Sequence, residues 1–128
     1  MKIKTSQNLV LEAFKDIKTI SAEEGLKLFN NKECNLIDIR DEVELQKNGR
    51  IENSYHISRG LLEFSIHPDS AYFKNKEIDI AKEMVLFCAA GGRSALAVKT
   101  LKEMGFEKVS HIEGGFGSMQ NSGFKVKK

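Results

Sequence analysis

Apolar residues cluster along this chain in short runs that are separated by longer amphipathic segments. Nearly unbroken apolar runs occupy residues 35–39 and 84–88, and shorter runs occupy residues 18–20, 54–57 and 109–112. Runs of about four to eight apolar residues between turn signals are typical of strands that are buried on both faces of a sheet. The pattern therefore predicts two fully buried strands with three shorter strands beside them.

The segments between these runs repeat apolar residues at intervals of three and four, which is the spacing of one helix face. Ser6 is the expected N-cap of the first helix, and Ser21 with Glu24 forms a capping box before the second. Gly49 and Gly105 stand where helix C-termini are expected. The predicted helices and helical turns cover residues 6–16, 22–30, 41–47, 61–64, 79–82, 94–104 and 116–121.

The order of these elements indicates the fold class. Short strands that alternate with helices predict βαβ units and a largely parallel sheet. The 128 residues suit one domain with one core, and the sequence contains no internal repeat. The basic C-terminal residues 125–128 are predicted to be frayed. The sequence thus favours a single α/β domain.

The charge and hydropathy patterns argue against some classes of function. The formal net charge is only +2 and the lysines are spread along the chain, so no nucleic-acid-binding face is predicted. No apolar run is long enough to span a bilayer. The first residues carry charge but lack the apolar core of a secretory signal. We therefore expect a cytoplasmic protein with neither a nucleic-acid nor a membrane partner.

The cysteine content is low, and the two cysteines differ in their surroundings. Cys34 and Cys88 alone do not make a disulfide framework. The sequence has neither Cys-x-x-Cys spacing nor paired histidines, so a zinc site is not expected. Cys34 lies near a helix end without a glycine loop, whereas Cys88 ends a predicted buried strand and is followed closely by Gly91-Gly92.

The segment after Cys88 has the features of an anion-binding loop. Backbone N–H groups of residues 89–94 can turn inward around the cysteine, and the following helix directs the positive end of its dipole to the same place. Such a field favours a thiolate, which is the nucleophilic form of cysteine. We therefore predict that Cys88 is the catalytic nucleophile. The predicted substrate-binding residues are those of its loop, Ala89, Ala90, Gly91, Gly92, Arg93 and Ser94.

Three further charged residues are candidates for supporting roles. Asp38 is an acid within an apolar run, which is costly unless it is paired, and Arg40 follows two residues later. We expect both to pair with neighbours and to brace the carboxyl edge of the sheet. Arg59 is a candidate for guiding an anionic substrate. His111 lies in a predicted strand and is interpreted as structural.

Four segments of the chain resemble the rhodanese (sulfurtransferase) homology domain. The most specific is Cys88–Ala97, which is similar to the active-site loop and the following helix of that family. The others are Leu36–Arg40 with Glu44 and Gly49, Ile57–Phe64, and Glu113–Phe116.

This resemblance implies a fold and a domain division. The family fold is a single α/β domain whose five-stranded, mainly parallel sheet is flanked by helices on both faces. The similar segments lie in family order over about residues 17–126. Residues 1–16 would then be an N-terminal helical extension, and residues 127–128 a short tail. A monomer or a weak homodimer is expected.

The resemblance also implies a mechanism. Cys88 would take the outer sulfur of a donor and hold it as a persulfide, and a thiol or cyanide acceptor would then remove that sulfur. The expected partners are a small-molecule or protein-bound sulfur donor and a thiol acceptor, and no cofactor is implied. Ala89 stands where thiosulfate-preferring members often carry a basic residue. Thiosulfate and a carried persulfide therefore both remain open as donors.

Two other functions also remain open. The domain would act as a non-catalytic sulfur carrier or protein-binding module if turnover were absent, although the presence of Cys88, Arg93 and both loop glycines favours an enzyme. A phosphatase-like reaction is disfavoured by loop length. Phosphatase loops of related domains are one residue longer than the loop here, which has four residues between Cys88 and Arg93.

Overall fold

The computed structural model describes residues 2–128 and places a parallel sheet at the centre of the molecule. Five strands form that sheet in the order β1-β6-β5-β2-β4, so that β5 is the middle strand. Every pairing within it is parallel, which confirms the predicted fold class. Across the described residues the strands are β1 (Lys18–Ile20), β2 (Cys34–Asp38), β3 (Arg50–Ile51), β4 (Tyr55–His56), β5 (Glu83–Phe87), β6 (Val109–Ile112) and β7 (Val126–Lys127).

Helices connect these strands and cover both faces of the sheet. A 3₁₀ turn at Arg59–Leu61 precedes the fourth helix. None of the helices in residues 2–128 is both long enough and apolar enough to cross a membrane. The helices in this part of the chain are α1 (Ser6–Phe14), α2 (Ala22–Asn30), α3 (Glu42–Asn48), α4 (Leu62–Ser65), α5 (Ala71–Asn75), α6 (Gly92–Glu103) and α7 (Gly115–Asn121).

The central strand supplies the core on both sides of the sheet. Successive side chains of a strand point to opposite faces, and β5 follows this rule with apolar residues at every position from 84 to 87. Leu86 packs in the cluster that contains Val98 and Leu101 of α6. Phe87 packs in the opposite cluster, which contains Met119 of α7. Burial on both faces explains why this segment is an unbroken apolar run.

The helix boundaries follow from local capping. The predicted capping box is confirmed, because the Ser21 hydroxyl accepts a hydrogen bond from the Glu24 backbone N–H at 3.1 Å. The prediction of Ser6 as the first N-cap is wrong by one residue. Thr5 caps α1, and its Oγ1 accepts from the Asn8 N–H at 3.0 Å. Both hydroxyls satisfy N–H groups that have no partner within the helix.

Two further local predictions are wrong. Residues 79–82 form no helix, because the Asp79 carboxylate accepts from the Ala81 N–H at 2.9 Å and closes a turn. The C-terminal tail is not frayed where β7 pairs with β3 in an antiparallel ladder. β7 has only two residues and no distinctive pattern in the sequence, and the tail becomes ordered only through its distant partner.

A buried ion pair ties the end of β2 to the rest of the sheet edge. Arg40 and Asp38 are 1% and 0% exposed, and the guanidinium donates to the carboxylate at 2.8 Å. The same guanidinium donates to the Gly49 carbonyl at 3.0 Å and lies 3.9 Å from the centre of the Phe116 ring. The expectation that Asp38 and Arg40 pair and brace the carboxyl edge agrees with these contacts.

We expect Arg40→Met to lower the free energy of unfolding by about 3–5 kcal/mol, because it leaves the Asp38 carboxylate buried without its partner. Chemical denaturation followed by circular dichroism measures this loss. The double variant Asp38→Leu/Arg40→Met is the control, and it should lose less because no isolated charge remains. A double variant at least as unstable as the single variant would contradict this account.

Candidate active site

The candidate nucleophile lies where the central strand meets a helix N-terminus. β5 ends at Phe87, Cys88 follows directly, and α6 begins at Gly92. Crevices at the carboxyl ends of parallel strands are the usual ligand sites of α/β sheets. The side chain of Cys88 is 1% exposed and belongs to the same apolar cluster as Leu86. The sulfur therefore lies beneath the loop rather than on the surface.

Two backbone N–H groups of the loop donate to the Cys88 sulfur. The Gly91 nitrogen lies 3.1 Å from Sγ, and the Ser94 nitrogen lies 3.4 Å from it. The Ser94 hydroxyl adds a third polar contact at 3.5 Å. Gly91 has a φ of 114°, a left-handed conformation that strains residues with a Cβ. The loop is thus folded to surround the sulfur with fixed donors, an arrangement that suits an anion.

The loop is held from below by the start of α7. The Phe116 N–H donates to the Cys88 carbonyl at 2.8 Å, which fixes the end of β5. Gly115 has a φ of 59°, and a Cβ at this position would lie 2.4 Å from the Cys88 carbonyl oxygen. Only glycine fits this approach without a shift of backbone. The segment 113–116 therefore shapes the loop although it contributes no atom to the sulfur's hydrogen bonds.

The Arg93 side chain extends from the loop, where its charge is paired with a carboxylate. Its guanidinium forms a two-point ion pair with the Glu44 carboxylate, with N–O distances of 2.9 and 3.1 Å. Hydrogen bonding to Glu44 raises the pKa of Arg93, and the nearby Cys88 adds to the effect. Sequence reasoning placed Glu44 only within a similar segment and did not foresee that it offsets the charge of Arg93. The positive field at the loop therefore comes mainly from backbone N–H groups.

Comparison with known proteins identifies the family of this loop and sheet. A family model described as Rhodanese-like domain matches residues 21–122. The chain belongs to the rhodanese-like family. A mouse relative, thiosulfate sulfurtransferase/rhodanese-like domain-containing protein 3, is 29% identical over 103 residues. That match covers 77% of this chain, which spans 66% of the length of the mouse protein.

Two solved structures with higher identity share the rhodanese-like fold. A Rhodopseudomonas palustris protein of unknown function, described as a possible tyrosine phosphatase, has a TM-score of 0.83 at 34% identity. The match covers 99% of this chain and 97% of the Rhodopseudomonas palustris protein. The polysulfide-sulfur transferase homodimer of Wolinella succinogenes has a TM-score of 0.74 at 33% identity, with 94% of this chain and 85% of that chain covered.

The structure brings most, but not all, of the predicted site residues to this rhodanese-like loop. Ala90 and Gly91 border a cavity of about 350 Å³ that Phe14, His111 and Glu113 also line. Ala89 lies exposed beside Ala90. Gly92 begins α6, and its Cα faces Val10 of α1, since a Cβ there would lie 3.8 Å from the Val10 side chain.

The hydrogen bonds of Arg59 are to residues outside the loop. Its guanidinium donates to Glu63 at 2.8 Å and to the Thr100 hydroxyl at 3.4 Å. Thr100 lies eight residues beyond Gly92 on α6, which is roughly 12 Å along a helix axis. These partners direct Arg59 away from Cys88, so a role in guiding substrate has no support in its contacts.

His111 is the site residue whose role sequence reasoning missed. Its Nδ1 lies 2.8 Å from the Ser94 hydroxyl, and its Nε2 lies 3.0 Å from the Thr19 hydroxyl. The Phe14 ring stacks on the imidazole with a centroid distance of 5.8 Å. His111 is 1% exposed, and burial lowers its pKa to about 4. A polar residue within a fully buried strand was the one signal that the sequence contained.

The two cysteines differ as the sequence predicted. Cys88 receives the loop hydrogen bonds, whereas burial, with a smaller effect of Glu83, raises the pKa of Cys34 to about 11. A thiol with so high a pKa is a poor nucleophile at neutral pH. Residues 2–128 contain no group of three or more His, Cys, Asp or Glu side chains arranged to hold a metal ion.

We expect Gly115→Ala to remove most of the reactivity of Cys88, because the added Cβ collides with the Cys88 carbonyl and displaces the loop. The rate of Cys88 alkylation by iodoacetamide, followed by intact mass, measures the effect. Gly117→Ala is the matched control, because a Cβ at Gly117 meets no atom within 4 Å. Equal alkylation rates for the two variants would show that the close approach is unimportant.

The pKa of His111 makes stability depend on pH. The folded protein holds the imidazole neutral down to about pH 4, whereas an unfolded chain protonates it at its ordinary value of 6.5. The unfolded state therefore binds more protons, and stability should fall as the pH falls from about 6.5 to about 4. In His111→Asn, the fall in the free energy of unfolding over this pH range should be smaller by about 3 kcal/mol. Urea titrations of both proteins at several pH values test it, and superimposable pH profiles would refute it.

Proposed function

We propose that this protein is a sulfurtransferase that carries a sulfane sulfur as a persulfide on Cys88. The observation that carries the proposal is the pair of backbone N–H groups, from Gly91 and Ser94, that donate to Sγ. These donors stabilise a negative charge on sulfur without an acid, a base or a metal. Such a site suits a reaction in which a thiolate attacks and later leaves.

The reaction consists of two displacements at sulfur. In the first, the Cys88 thiolate attacks the outer sulfur of a donor, and the donor's S–S bond breaks. Its electron pair leaves with the donor as a thiolate, or as sulfite when thiosulfate is the donor. In the second, an acceptor thiolate attacks the outer sulfur of the Cys88 persulfide, and the Cys88 thiolate is released. No net electron transfer to an external partner is required.

Family membership and the names of relatives support sulfur chemistry. The mouse relative is named a thiosulfate sulfurtransferase/rhodanese-like protein, and the Wolinella succinogenes structure is a polysulfide-sulfur transferase. The loop has four residues between Cys88 and Arg93, one fewer than the phosphatase loops of related domains, which favours sulfur over phosphate. We therefore place sulfur transfer ahead of phosphate hydrolysis, although the Rhodopseudomonas palustris structure is described as a possible tyrosine phosphatase.

The charge of the loop favours a singly charged donor. Ala89 contributes no cation, and the Glu44 carboxylate offsets the charge of Arg93. A persulfide group, which carries one negative charge, therefore suits this loop better than thiosulfate, which carries two. We propose a low-molecular-weight or protein-bound persulfide as the donor and a thiol as the acceptor.

The second candidate is a sulfur carrier or protein-binding module with no turnover of its own. The burial of the Cys88 sulfur, which is 1% exposed, favours this alternative because access to the nucleophile is restricted. The two candidates differ in the second displacement. A carrier would accept sulfur and retain it in the presence of small thiols, whereas an enzyme would return to the free thiolate repeatedly.

We expect the protein to gain the mass of one sulfur atom when it is incubated with a glutathione persulfide and weighed intact. Excess dithiothreitol should remove that sulfur with catalytic turnover. Cys88→Ser should show no gain, and Cys34→Ser should behave as the unchanged protein because Cys34 lies outside the loop. An unmodified mass with every donor, from protein whose Cys88 still reacts with iodoacetamide, would refute the sulfurtransferase.

A further inference from the structure

A line of polar side chains runs from the nucleophile through the sheet to its edge strand. Cys88 Sγ and Ser94 Oγ are 3.5 Å apart, Ser94 Oγ and His111 Nδ1 are 2.8 Å apart, and His111 Nε2 and Thr19 Oγ1 are 3.0 Å apart. Four elements of the fold supply these residues: the end of β5, α6, β6 and β1. Ser94 is 0% exposed and His111 is 1% exposed. The middle of this line is thus buried, although His111 and Thr19 also line the cavity beside the loop.

The Ser94 hydroxyl has one hydrogen and more than one neighbour that can accept it. Cys88 Sγ and the Gly91 carbonyl oxygen, at 3.2 Å, both lie within reach. His111 Nδ1 competes for the same hydrogen whenever that nitrogen carries none. When Nδ1 is protonated, it donates to the Ser94 oxygen instead and leaves the hydroxyl hydrogen for the sulfur or for the Gly91 carbonyl. The tautomer of His111 therefore decides whether the ring takes the hydroxyl hydrogen or leaves it for these two acceptors.

Burial keeps the imidazole neutral at physiological pH, so it holds one hydrogen for its two nitrogens. The Thr19 hydroxyl, 3.0 Å from Nε2, can either donate to that nitrogen or accept from it. When the Thr19 hydroxyl donates to Nε2, the hydrogen of the ring must lie on Nδ1 and face Ser94. Phe14 stacks on the imidazole and restricts its rotation. Phe14 belongs to α1, outside the part of the chain that the family model matches.

We propose that His111 is a positioning residue, which directs the Ser94 hydroxyl to the Cys88 sulfur while Thr19 sets its tautomer. The three hydrogen bonds are then oriented the same way. The Thr19 hydroxyl donates to Nε2, Nδ1–H donates to the Ser94 oxygen, and the Ser94 hydroxyl donates to Sγ. The sulfur gains a third hydrogen bond beside those of the two backbone N–H groups. This inference rests on the proposed function for its catalytic consequence, but the contact itself acts on the free cysteine.

The test uses three substitutions in protein that carries Cys34→Ser, so that only Cys88 reacts. His111→Leu removes both ring nitrogens and puts an apolar side chain of similar size in their place. His111→Asn restores an N–H donor near the position of Nδ1. Thr19→Val removes the donor to Nε2 and leaves the ring in place. The charged pairs Arg93–Glu44 and Asp38–Arg40 near the loop are unchanged in all three.

The first readout is the pH profile of Cys88 alkylation, which does not depend on sulfur transfer. We expect His111→Leu to move the midpoint of that profile upward by about one pH unit, because the Ser94 hydroxyl then turns to the Gly91 carbonyl and the sulfur loses a hydrogen bond. His111→Asn should restore most of the change. Thr19→Val should shift the midpoint in the same direction by less, because both tautomers then become populated.

The second readout is the rate of sulfur transfer from glutathione persulfide. We expect His111→Leu to lower kcat about tenfold with little change in KM, since the contact acts on the sulfur rather than on substrate binding. Melting curves identify any variant that fails to fold. If His111→Leu fails to fold, Thr19→Val decides the question, because it leaves the ring and its packing intact.

The outcomes separate the positioning role of His111 from the sulfurtransferase activity. Alkylation profiles that coincide for all folded variants would overturn the role of His111. A His111→Asn profile that matches His111→Leu would also overturn it, because the effect would then follow packing rather than the hydrogen bond. Shifted profiles in protein that never acquires sulfur would support the positioning role and refute the sulfurtransferase. These results distinguish the failure of either proposal.

Discussion

The constraint on which this structure depends is the burial of an ionisable sulfur within an apolar cluster. Cys88 packs with Leu86 on one face of the sheet, where an unpaired negative charge would be strongly disfavoured. The N–H groups of Gly91 and Ser94 donate to this sulfur, and the loop brings them there with Gly91 at a positive φ. The loop conformation is therefore a requirement of the buried sulfur.

That requirement extends to segments that lie far away along the chain. The Cys88 carbonyl is fixed by the Phe116 N–H, and the Phe116 ring lies against the Arg40 guanidinium. Arg40 in turn is neutralised by Asp38 at the end of the neighbouring strand. Because each contact limits the next, the buried ion pair positions the loop without touching it. This arrangement explains why an acid is tolerated inside an apolar strand.

The sequence allowed the fold and the position of Cys88 at the end of a buried strand to be predicted because both depend on local pattern. The apolar run before Cys88, the glycines after it and the capping box at Ser21 each determine structure within a few residues. The missed features depend on contacts between distant segments. The ion pair of Arg93 with Glu44 and the contact of His111 with Ser94 join separate elements, and neither has a signature in residue spacing.

The same donors act differently on the two displacements of the proposed reaction. A persulfide places its charge on an outer sulfur about 2 Å beyond Sγ, whereas the donors of Gly91 and Ser94 contact Sγ itself. They therefore stabilise the free thiolate more than the loaded form. A stabilised thiolate is the better leaving group, so the loop favours release of sulfur to an acceptor. Loading must then be driven by a donor whose own leaving group departs easily.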